Sequence, residues 1–424
     1  MSTGRRSTAH RIPPVPPIPP VPPEHERSTY LDGVRAQNTP YDLMHIGGLP
    51  MWCATGYQDA KRLLTDPQVV NCPSPVAGRE DDVDLFALGP TLTGGHVLRT
   101  DGSTHARLRA AINPVFSRQT VATRRAFITR TTDQLLDDLP HTEDIDLVEA
   151  FARPLVSRLL GHVIGLTEAR SDEHAVLQRH NFESTDTASQ RRTAFALSTL
   201  LLRVLTGADG DIPEGSLMAS MLRPPRGITP LSLPEAVENL IAVYRAGLAP
   251  TISALVYGAA RIAEHRDPEV MAALLDPGRT ETLVEELLRL HPPHAVTTPR
   301  VTTGTIETAD APIPAGATVT ACLATANRDP GRFPAPDDLR LDRDRPTGHL
   351  AFGWGPHICA GAPLVRQLLR LALPALFQRH PRLRLTVPFE EIRFHGSYSD
   401  RMPIAVPVSL GVPAGHEAER NQYR

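Results

Sequence analysis

The sequence predicts a mainly α-helical protein with a small β part. Long stretches of apolar residues at helical spacing fill most of the chain, and alternating runs rich in threonine and valine are confined to a few short segments. No internal repeat or glycine-rich linker separates these stretches. The chain has 424 residues, 41% of them hydrophobic, so it is long enough to bury a large core.

The elements follow in order along the chain. Repeated PPV and PPI units between Pro13 and Pro23 favour an extended polyproline conformation, so residues 1–26 are predicted to form a proline-rich arm. A short strand is predicted over 51–55, followed by a helix over 57–64 that the Asp66-Pro67 step terminates. Further helices are predicted over 105–116, 124–139, 147–164, 194–205, 234–263 and 280–290.

The pattern changes to strands in the last third of the chain. Strand pairs with PIPAG as their turn are predicted over 297–320, and the segment 383–412 alternates in the same way. We therefore expect a single domain over 27–414, with a polar tail at 415–424.

Charge and cysteine content exclude several classes of protein. The 44 basic and 47 acidic residues give a net charge of −3, which argues against a dedicated nucleic-acid binder. The four cysteines, Cys53, Cys72, Cys322 and Cys359, form no CxxC pair, so neither a disulfide framework nor a structural zinc site is predicted. Signal-peptide and membrane-span patterns are not found. These observations favour a cytoplasmic protein, and we expect it to be a monomer.

The most informative stretch is HLAFGWGPHICAGAPLVRQLLR, over 349–370, where a glycine-rich loop leads directly into an amphipathic helix. Its glycines permit a tight loop and close approach of the backbone to a flat ligand. Cys359 precedes the helix, where exposed N–H groups and the helix dipole stabilise a thiolate, which is a metal ligand or a nucleophile. The alternative is a buried cysteine that packs as a small hydrophobe.

This loop resembles the haem-binding motif FGxGxHxCxG of the cytochrome P-450 superfamily. The matching residues are Phe352, Gly353, Gly355, His357, Cys359 and Gly361. The resemblance implies the cytochrome P-450 fold, with haem b lying between the central long helix and the cysteine loop. It also implies that the Cys359 thiolate binds the haem iron.

Other segments resemble the same family. Glu286 and Arg289 match its ExxR helix, whose pair is joined by a second arginine from the loop before the cysteine. Arg343 is the predicted third member, and Arg345 is the alternative. The alternative is that Glu286 and Arg289 form an ordinary solvent-exposed i, i+3 pair on a helix surface.

Four residues match the positions that contact the haem propionates. His105 and Arg109 lie one helical turn apart in DGSTHARLR and suit a pair of carboxylates. The resemblance adds Arg300, after LHPPHAVTTP, and His357 from the cysteine loop. Taken singly, His105 would be read as a surface histidine.

The central helix departs from the family pattern. Ala249 and Pro250 stand where the family places the acid and the alcohol that pass protons to bound oxygen. At 100° per residue Ser253 shares a face with Ala249, whereas Thr251 points away. Ser253, an ordered water or a substrate hydroxyl is therefore the candidate for the missing group.

The substrate pocket is expected to include Arg245 and Ala246 from the same helix. An arginine at this position is rarely unpaired, so Arg245 either binds a carboxylate or another acceptor of the substrate, or forms an internal salt bridge. The segment Ala295, Val296 and Thr297 is predicted to line the pocket as well. We expect a small-molecule substrate, and an anionic molecule is one of the candidates.

The resemblance implies a haem-thiolate oxidoreductase. It would act as a monooxygenase, or as a coupling or cyclising tailoring enzyme of natural-product biosynthesis, using O2 and electrons from a separate ferredoxin and ferredoxin reductase. Arg366 and Arg370 are candidates for the contact with an acidic ferredoxin, or else are simply solvated. Two alternatives stay open, a peroxide-dependent haem-thiolate enzyme and a haem protein that binds a ligand without oxidising it.

Overall fold

The structure, a computed structural model, describes residues 41–46, 49–71, 95–140, 144–183, 187–308, 312–343, 348–394 and 402–411. These residues form thirteen α-helices, joined by short 3-10 and π turns. The helices are α1 (Tyr57–Thr65), α2 (Gly102–Ile112), α3 (Arg118–Thr123), α4 (Arg125–Asp137), α5 (Arg153–Ile164), α6 (Glu168–Glu183), α7 (Thr187–Leu205), α8 (Leu217–Leu222), α9 (Leu233–His265), α10 (Pro268–Leu275), α11 (Thr280–Leu290), α12 (Leu323–Ala326) and α13 (Ala362–Arg379). The mainly α fold class is confirmed.

Two small sheets account for the strands among the described residues. The strands are β1 (Tyr41–Ile46), β2 (Leu49–Ala54), β3 (Val69–Asn71), β4 (Asp144–Asp146), β5 (Arg300–Thr302), β6 (Thr318–Ala321), β7 (Arg384–Leu385) and β8 (Pro407–Ser409). The first sheet has the order β1-β2-β6-β5-β3, and the second has the order β4-β8-β7. In the first sheet β3 pairs antiparallel with β5, which brings Asn71 opposite Arg300.

Helix α9 is the longest helix and runs through the main core. It begins with a capping box, in which the Ser232 hydroxyl accepts from the Glu235 backbone while the Glu235 carboxylate accepts from the Ser232 backbone. It ends at His265, and the following cap residue, Arg266, adopts the left-handed conformation. By length and composition α9 could cross a membrane, but most of its apolar stretch is buried inside the protein. It is therefore a core helix.

Helix α13 and the loop before it are held against two cores. The main core surrounds α9 and α13, and buried side chains such as Leu255, Leu368 and Leu373 belong to it. A second, smaller core lies between α1 and the five-stranded sheet and includes Leu64 and Leu350. The loop that carries Cys359 crosses between these two cores, which fixes it from both sides.

The predicted elements are largely found, with shifted ends. The helix predicted over 194–205 begins at 187, and that over 147–164 starts with a π turn over Val148–Ala152 before α5. The strand predicted over 51–55 corresponds to β2, which ends one residue earlier, at Ala54. The PIPAG segment turns at Gly316, whose φ of 78° requires glycine and whose N–H donates to Thr302 at 2.7 Å.

Helix α10 was not predicted, although its start carries a clear signal. Asp267 caps it by accepting from the Glu269 backbone N–H, and Pro268 occupies the first turn. The helix has only eight residues, too few for a pattern of helical period to stand out. The predicted proline-rich arm and the polar tail lie outside the described residues.

Candidate active site

The loop before α13 is closed on itself by backbone hydrogen bonds. The Cys359 N–H donates to the Phe352 carbonyl at 2.9 Å, and the Gly353 N–H donates to Leu350 at 2.8 Å. Gly355 has a φ of 75°, and a Cβ there would lie 2.6 Å from the Leu64 carbonyl oxygen. The close contact between this loop and α1 therefore requires glycine at 355.

Cys359 has an accessible surface although protein surrounds it. The residue is exposed, yet burial is the strongest influence on the pKa of its thiol, which is raised. The backbone N–H groups of Gly361 and Ala362 and the charge of Arg109 oppose that rise. A side chain that is deep but accessible lines an internal cleft. Coordination to a metal would remove the thiol proton outright.

A group of cationic and donor side chains lies beside this cleft. The ring centroids of His105, on α2, and His357, in the loop, lie 3.9 Å apart, with the ring planes tilted by 33°. One turn after His105, Arg109 donates to the Ile358 carbonyl at 3.0 Å. Arg300, on β5, is buried and donates to the Leu64 carbonyl at 3.3 Å. The fold thus brings together the four side chains that the sequence predicts to contact the haem propionates.

Asn71 and Asp101 hold this group together and were not predicted. The Asn71 side-chain amide and backbone N–H donate to the Asp101 carboxylate at 2.9 and 2.6 Å. His357 Nε2 lies 2.9 Å from Asp101 Oδ1 and 2.7 Å from Asn71 Nδ2. One ring nitrogen can serve only one of these two contacts at a time, so the tautomer decides which hydrogen bond forms. Asp101 belongs to the segment DGSTHARLR, which was the available signal.

The donors in this group are not fully satisfied. Among the described residues, His105 Nε2 and Arg300 Nε have no hydrogen-bond partner. Burial, with the charges of His357 and Arg109, lowers the pKa of His105 to about 4. Burial also lowers the pKa of Arg300. The unpaired Arg300 donor, with the His105 ring in the tautomer that carries its proton on Nε2, forms a site for an anion.

Glu286 binds both arginines that the sequence assigns to it. Arg289 Nε and Nη2 donate to its two carboxylate oxygens at 2.8 and 3.0 Å. Arg343 Nε donates to Glu286 Oε2 at 3.0 Å, and the Arg340 backbone N–H does so at 3.1 Å. Arg289 and Glu286 are fully buried. The alternative third member, Arg345, lies outside the described residues.

Arg366 is neither simply solvated nor an open surface charge. Its guanidinium donates to both oxygens of the buried Glu285 at 2.6 and 2.8 Å and lies 4.5 Å over the Phe352 ring. Arg370 pairs with Glu281. Burial works to raise the pKa of Glu285, but the Arg366 and His349 contacts outweigh it and lower that pKa to about 2. Arg366 therefore braces the cysteine loop.

The middle of α9 is open to solvent although most of the helix is buried. Ala246 is exposed, and Arg245, Ala249 and Pro250 are half-buried. Ser253 is only 1% exposed and is engaged in an interaction of its own. Ser253 therefore lies beyond the open stretch, which ends at Pro250, and its role in place of the missing alcohol stays a prediction.

The predicted pocket segment after α11 is mostly closed. Val296 is 2% exposed and forms an isolated bridge with Cys322. Ala295 is buried too, and its carbonyl accepts from Ala324 at 3.1 Å. Thr297 alone of the three is half-buried. Backbone pairing thus places Ala295 and Val296 in the packed interior, and their place in the substrate pocket stays a prediction.

The residues present fit a haem better than a bare metal ion. Among the described residues, no group of three or more His, Cys, Asp and Glu side chains could hold a metal ion. One deep, accessible cysteine beside a group of unpaired donors suits a cofactor that brings its own equatorial ligands and two carboxylates.

Comparison with known proteins identifies the family. The Cytochrome P450 family model matches residues 279–385. Cytochrome P450 107B1 of Saccharopolyspora erythraea is 30% identical over 372 residues, which cover 86% of this chain and 91% of that protein. The polyketide biosynthesis cytochrome P450 PksS of Bacillus subtilis is 26% identical and covers 87% of this chain and 92% of its own length.

A solved structure agrees with this similarity. The ligand-free P450 monooxygenase TamI superposes with a TM-score of 0.80 at 28% identity, covering 91% of this chain and 92% of its own. The chain belongs to the cytochrome P450 family. It is an oxygen-using oxidoreductase, and members of this family carry haem iron on a cysteine thiolate.

Proposed function

We propose that this protein is a haem-thiolate tailoring enzyme of natural-product biosynthesis, with haem b bound through Cys359. It acts in the cytoplasm on a small organic substrate, using O2 and electrons from a separate ferredoxin and ferredoxin reductase. The observation that carries the proposal is a single deep but accessible cysteine at the start of α13, beside a group of unpaired donors. A haem bound there would supply the activation of oxygen for hydroxylation, coupling or cyclisation.

The loop residues hold the thiolate and tune its basicity. The Cys359 N–H is occupied by the Phe352 carbonyl, which fixes the direction of the side chain. The N–H groups of Gly361 and Ala362 stabilise negative charge on Sγ. Arg366 keeps Phe352 in place from the other side through its contact with the ring.

The donor group around His357 holds the two carboxylates of the haem. Arg109 and Arg300 supply fixed positive charge, and His105 and His357 supply N–H donors. A bound carboxylate would raise the lowered pKa of His105, because it replaces lost hydration with a negative partner.

Proton delivery in this chain uses no acid and alcohol side chain at the usual positions. Pro250 has no N–H, so the Ala246 carbonyl receives no helical hydrogen bond from it. Ala246 is exposed, and the missing helical hydrogen bond leaves its carbonyl oxygen to accept from a water molecule in the cleft. We assign the proton that reaches the reacting oxygen to such a water, or to a hydroxyl of the substrate.

The missing acid and alcohol on α9 also favour a peroxide-dependent enzyme as an alternative. A peroxide brings both oxygen and electrons, so a peroxide-dependent enzyme has less need of a proton relay from O2. Ala249 and Pro250 in the open part of α9 are the observation behind this second candidate. The non-oxidising alternative has no such support, because the relatives are oxidising enzymes.

The source of electrons distinguishes a ferredoxin-dependent enzyme from a peroxide-dependent one. The purified haem protein is assayed with a panel of ferredoxins, ferredoxin reductase and NADPH, and in parallel with hydrogen peroxide, using pathway intermediates from neighbouring genes as substrates. We expect product formation with at least one ferredoxin system and slower, haem-bleaching turnover with peroxide. Efficient turnover with peroxide and none with any ferredoxin system would establish the alternative.

A variant pair tests the relay directly. Ala249→Asp with Pro250→Thr restores the acid and the alcohol, and Ala259→Ser, at a buried α9 position beyond the open stretch, serves as the control. We expect the double variant to consume O2 faster in the ferredoxin system. Equal rates in all three proteins would show that water at Ala246 is not the limiting path.

A further inference from the structure

Asp101 is an acidic residue among the cationic side chains of the candidate haem site. It is half-buried and stands at the N-cap of α2, the helix that carries His105 and Arg109. An aspartate at an N-cap usually accepts from the first N–H groups of its own helix. Within the described part of the chain, the Asp101 side chain makes no such hydrogen bond. Its carboxylate is therefore free to contact other segments.

The carboxylate joins α2 to two other segments. Oδ2 accepts from the backbone N–H of Asn71, at the end of β3, at 2.6 Å. Oδ1 lies 2.9 Å from Asn71 Nδ2 and 2.9 Å from Nε2 of His357, in the cysteine loop. A carboxylate oxygen can accept from two donors. With a proton on Nε2, the His357 ring therefore donates to a charged acceptor, and such hydrogen bonds are the strong ones.

The His357 ring is held in two directions. Asp101 contacts its edge at Nε2, and the His105 ring packs beside it with 3.9 Å between the ring centroids. The His357 side chain is only 13% exposed, which leaves it little room to swing out. A histidine side chain has two rotatable bonds, so contacts in two directions fix its orientation. Asp101 and His105 together thus set the direction of His357.

The Asp101 carboxylate is charged at neutral pH. Burial works to raise its pKa, but the hydrogen bonds from His357 and Asn71 outweigh burial and lower that pKa. The same charge acts on Arg300, where it opposes the lowering of the arginine pKa by burial. Oxidised haem carries one positive charge more than reduced haem, so a fixed negative charge near the haem carboxylates favours the oxidised form.

We propose that Asp101 is a positioning residue of the haem site, which fixes the His357 ring and whose negative charge lowers the reduction potential of the bound haem. The proposal rests on the proposed function, since it needs a haem on Cys359. Asp101 acts through His357 and through its charge rather than by touching the substrate.

Two substitutions separate the position of the carboxylate from its charge. Asp101→Asn keeps a hydrogen-bonding side chain of the same shape and removes the charge, whereas Asp101→Ala removes both. Asp329→Asn and Asp329→Ala are the matched controls. Asp329 is another half-buried aspartate that joins distant segments, since it accepts from the Tyr57 backbone N–H at 2.9 Å.

Haem release tests the positioning role without turnover. It is measured on the purified ferric holoenzymes as transfer of haem to an excess of apomyoglobin. We expect Asp101→Ala to release haem about tenfold faster than wild type, because the His357 ring has lost a charged hydrogen bond. Asp101→Asn should restore most of this retention, and both Asp329 variants should match wild type.

The reduction potential tests the role of the charge, and spectroelectrochemical titration of the same proteins measures it. In Asp101→Asn the equilibrium between oxidised and reduced haem should shift toward the reduced form by about threefold to tenfold. A tenfold shift corresponds to a potential about 59 mV higher for one electron. The Asp329 variants should keep the wild-type potential.

Equal haem release from Asp101→Ala and wild type would overturn the positioning role, and an unchanged potential in Asp101→Asn would overturn the role of the charge. Equal changes in the Asp329 variants would overturn both, because the effects would then follow from the loss of any such aspartate. Failure of the proposed function looks different, because the reduced wild-type protein would then give no thiolate-type spectrum with carbon monoxide.

Discussion

His174 shows how strongly burial acts on single residues in this fold. It lies on α6, fully buried, with its ring 4.1 Å from that of Tyr244 between centroids. Among the described residues neither ring nitrogen has a hydrogen-bond partner, and burial lowers the pKa to about 3. The folded protein therefore holds this ring neutral well below pH 7.

This predicts a pH dependence of stability. The folded pKa of about 3 lies below the unfolded value of 6.5, so unfolding takes up a proton as the pH falls below 6.5. Between pH 7 and pH 5 the folded state should lose about 2 kcal/mol through this residue alone. Between these pH values the His174→Phe variant should lose about 2 kcal/mol less free energy of unfolding than wild type does. Urea unfolding of the holoenzyme at both pH values measures the difference.

A buried side chain that does not titrate supplies the control. Met221→Leu, at a fully buried position, should keep the wild-type pH dependence. At pH 7, His174→Phe should also be the more stable protein, because two unpaired buried nitrogens are removed. An unchanged pH dependence in His174→Phe would contradict the assignment of a buried neutral ring.

At the scale of elements, Glu286 ties α11 to the segment that follows α12. It accepts from Arg289 on its own helix and from Arg343 across the fold. Arg343 also donates to the Pro334 and Ala335 carbonyls at 2.7 and 2.8 Å. The guanidinium therefore links the helix to a loop that has little regular structure of its own.

Removing one partner should be costly. Arg343→Gln leaves part of the Glu286 charge buried without its partner and should lower the free energy of unfolding by about 3 kcal/mol. Arg340→Gln is the matched control, since that side chain pairs with the exposed Asp342 and its backbone contact with Glu286 is kept. It should cost less than about 1 kcal/mol. Equal effects in urea unfolding would show that Glu286 is not the anchor.

Pro250 has a measurable effect on α9. The helix continues through it, so the structure tolerates a missing helical hydrogen bond at Ala246. Pro250→Ala restores the N–H and should raise the free energy of unfolding by about 1 to 3 kcal/mol. It should also slow product formation, because the Ala246 carbonyl is then occupied. A stabilised variant with unchanged turnover would separate the proline from proton delivery.

At the scale of the whole molecule, the sequence predicts the helical class and the cysteine loop well. Helical spacing is a local pattern, so α9 and α11 are found to within a few residues. The roles of Cys359 and of the ExxR pair came from a motif, because no local property of a cysteine distinguishes a ligand from a packed thiol.

Contacts between residues that are far apart in the chain could not be predicted from the sequence. Arg300 lies opposite Asn71 only through the register of β5 and β3, 229 positions apart in the chain. The segment before α2 lies beside α9 only because the Val97 N–H reaches Asn239, 142 positions further along the chain. The burial of Val296 has the same origin, since its backbone pairs with Cys322 in an isolated bridge.

The central claim is that Cys359 supplies the thiolate that binds haem iron. The carbon monoxide difference spectrum of the reduced protein tests it most directly, with Cys359→Ser as the variant and Cys322→Ser, at a buried cysteine of the sheet region, as the control. We expect the red-shifted Soret band of thiolate ligation in wild type and in Cys322→Ser, and its loss in Cys359→Ser. A wild-type spectrum without that shift, or a shift that persists in Cys359→Ser, would contradict the account.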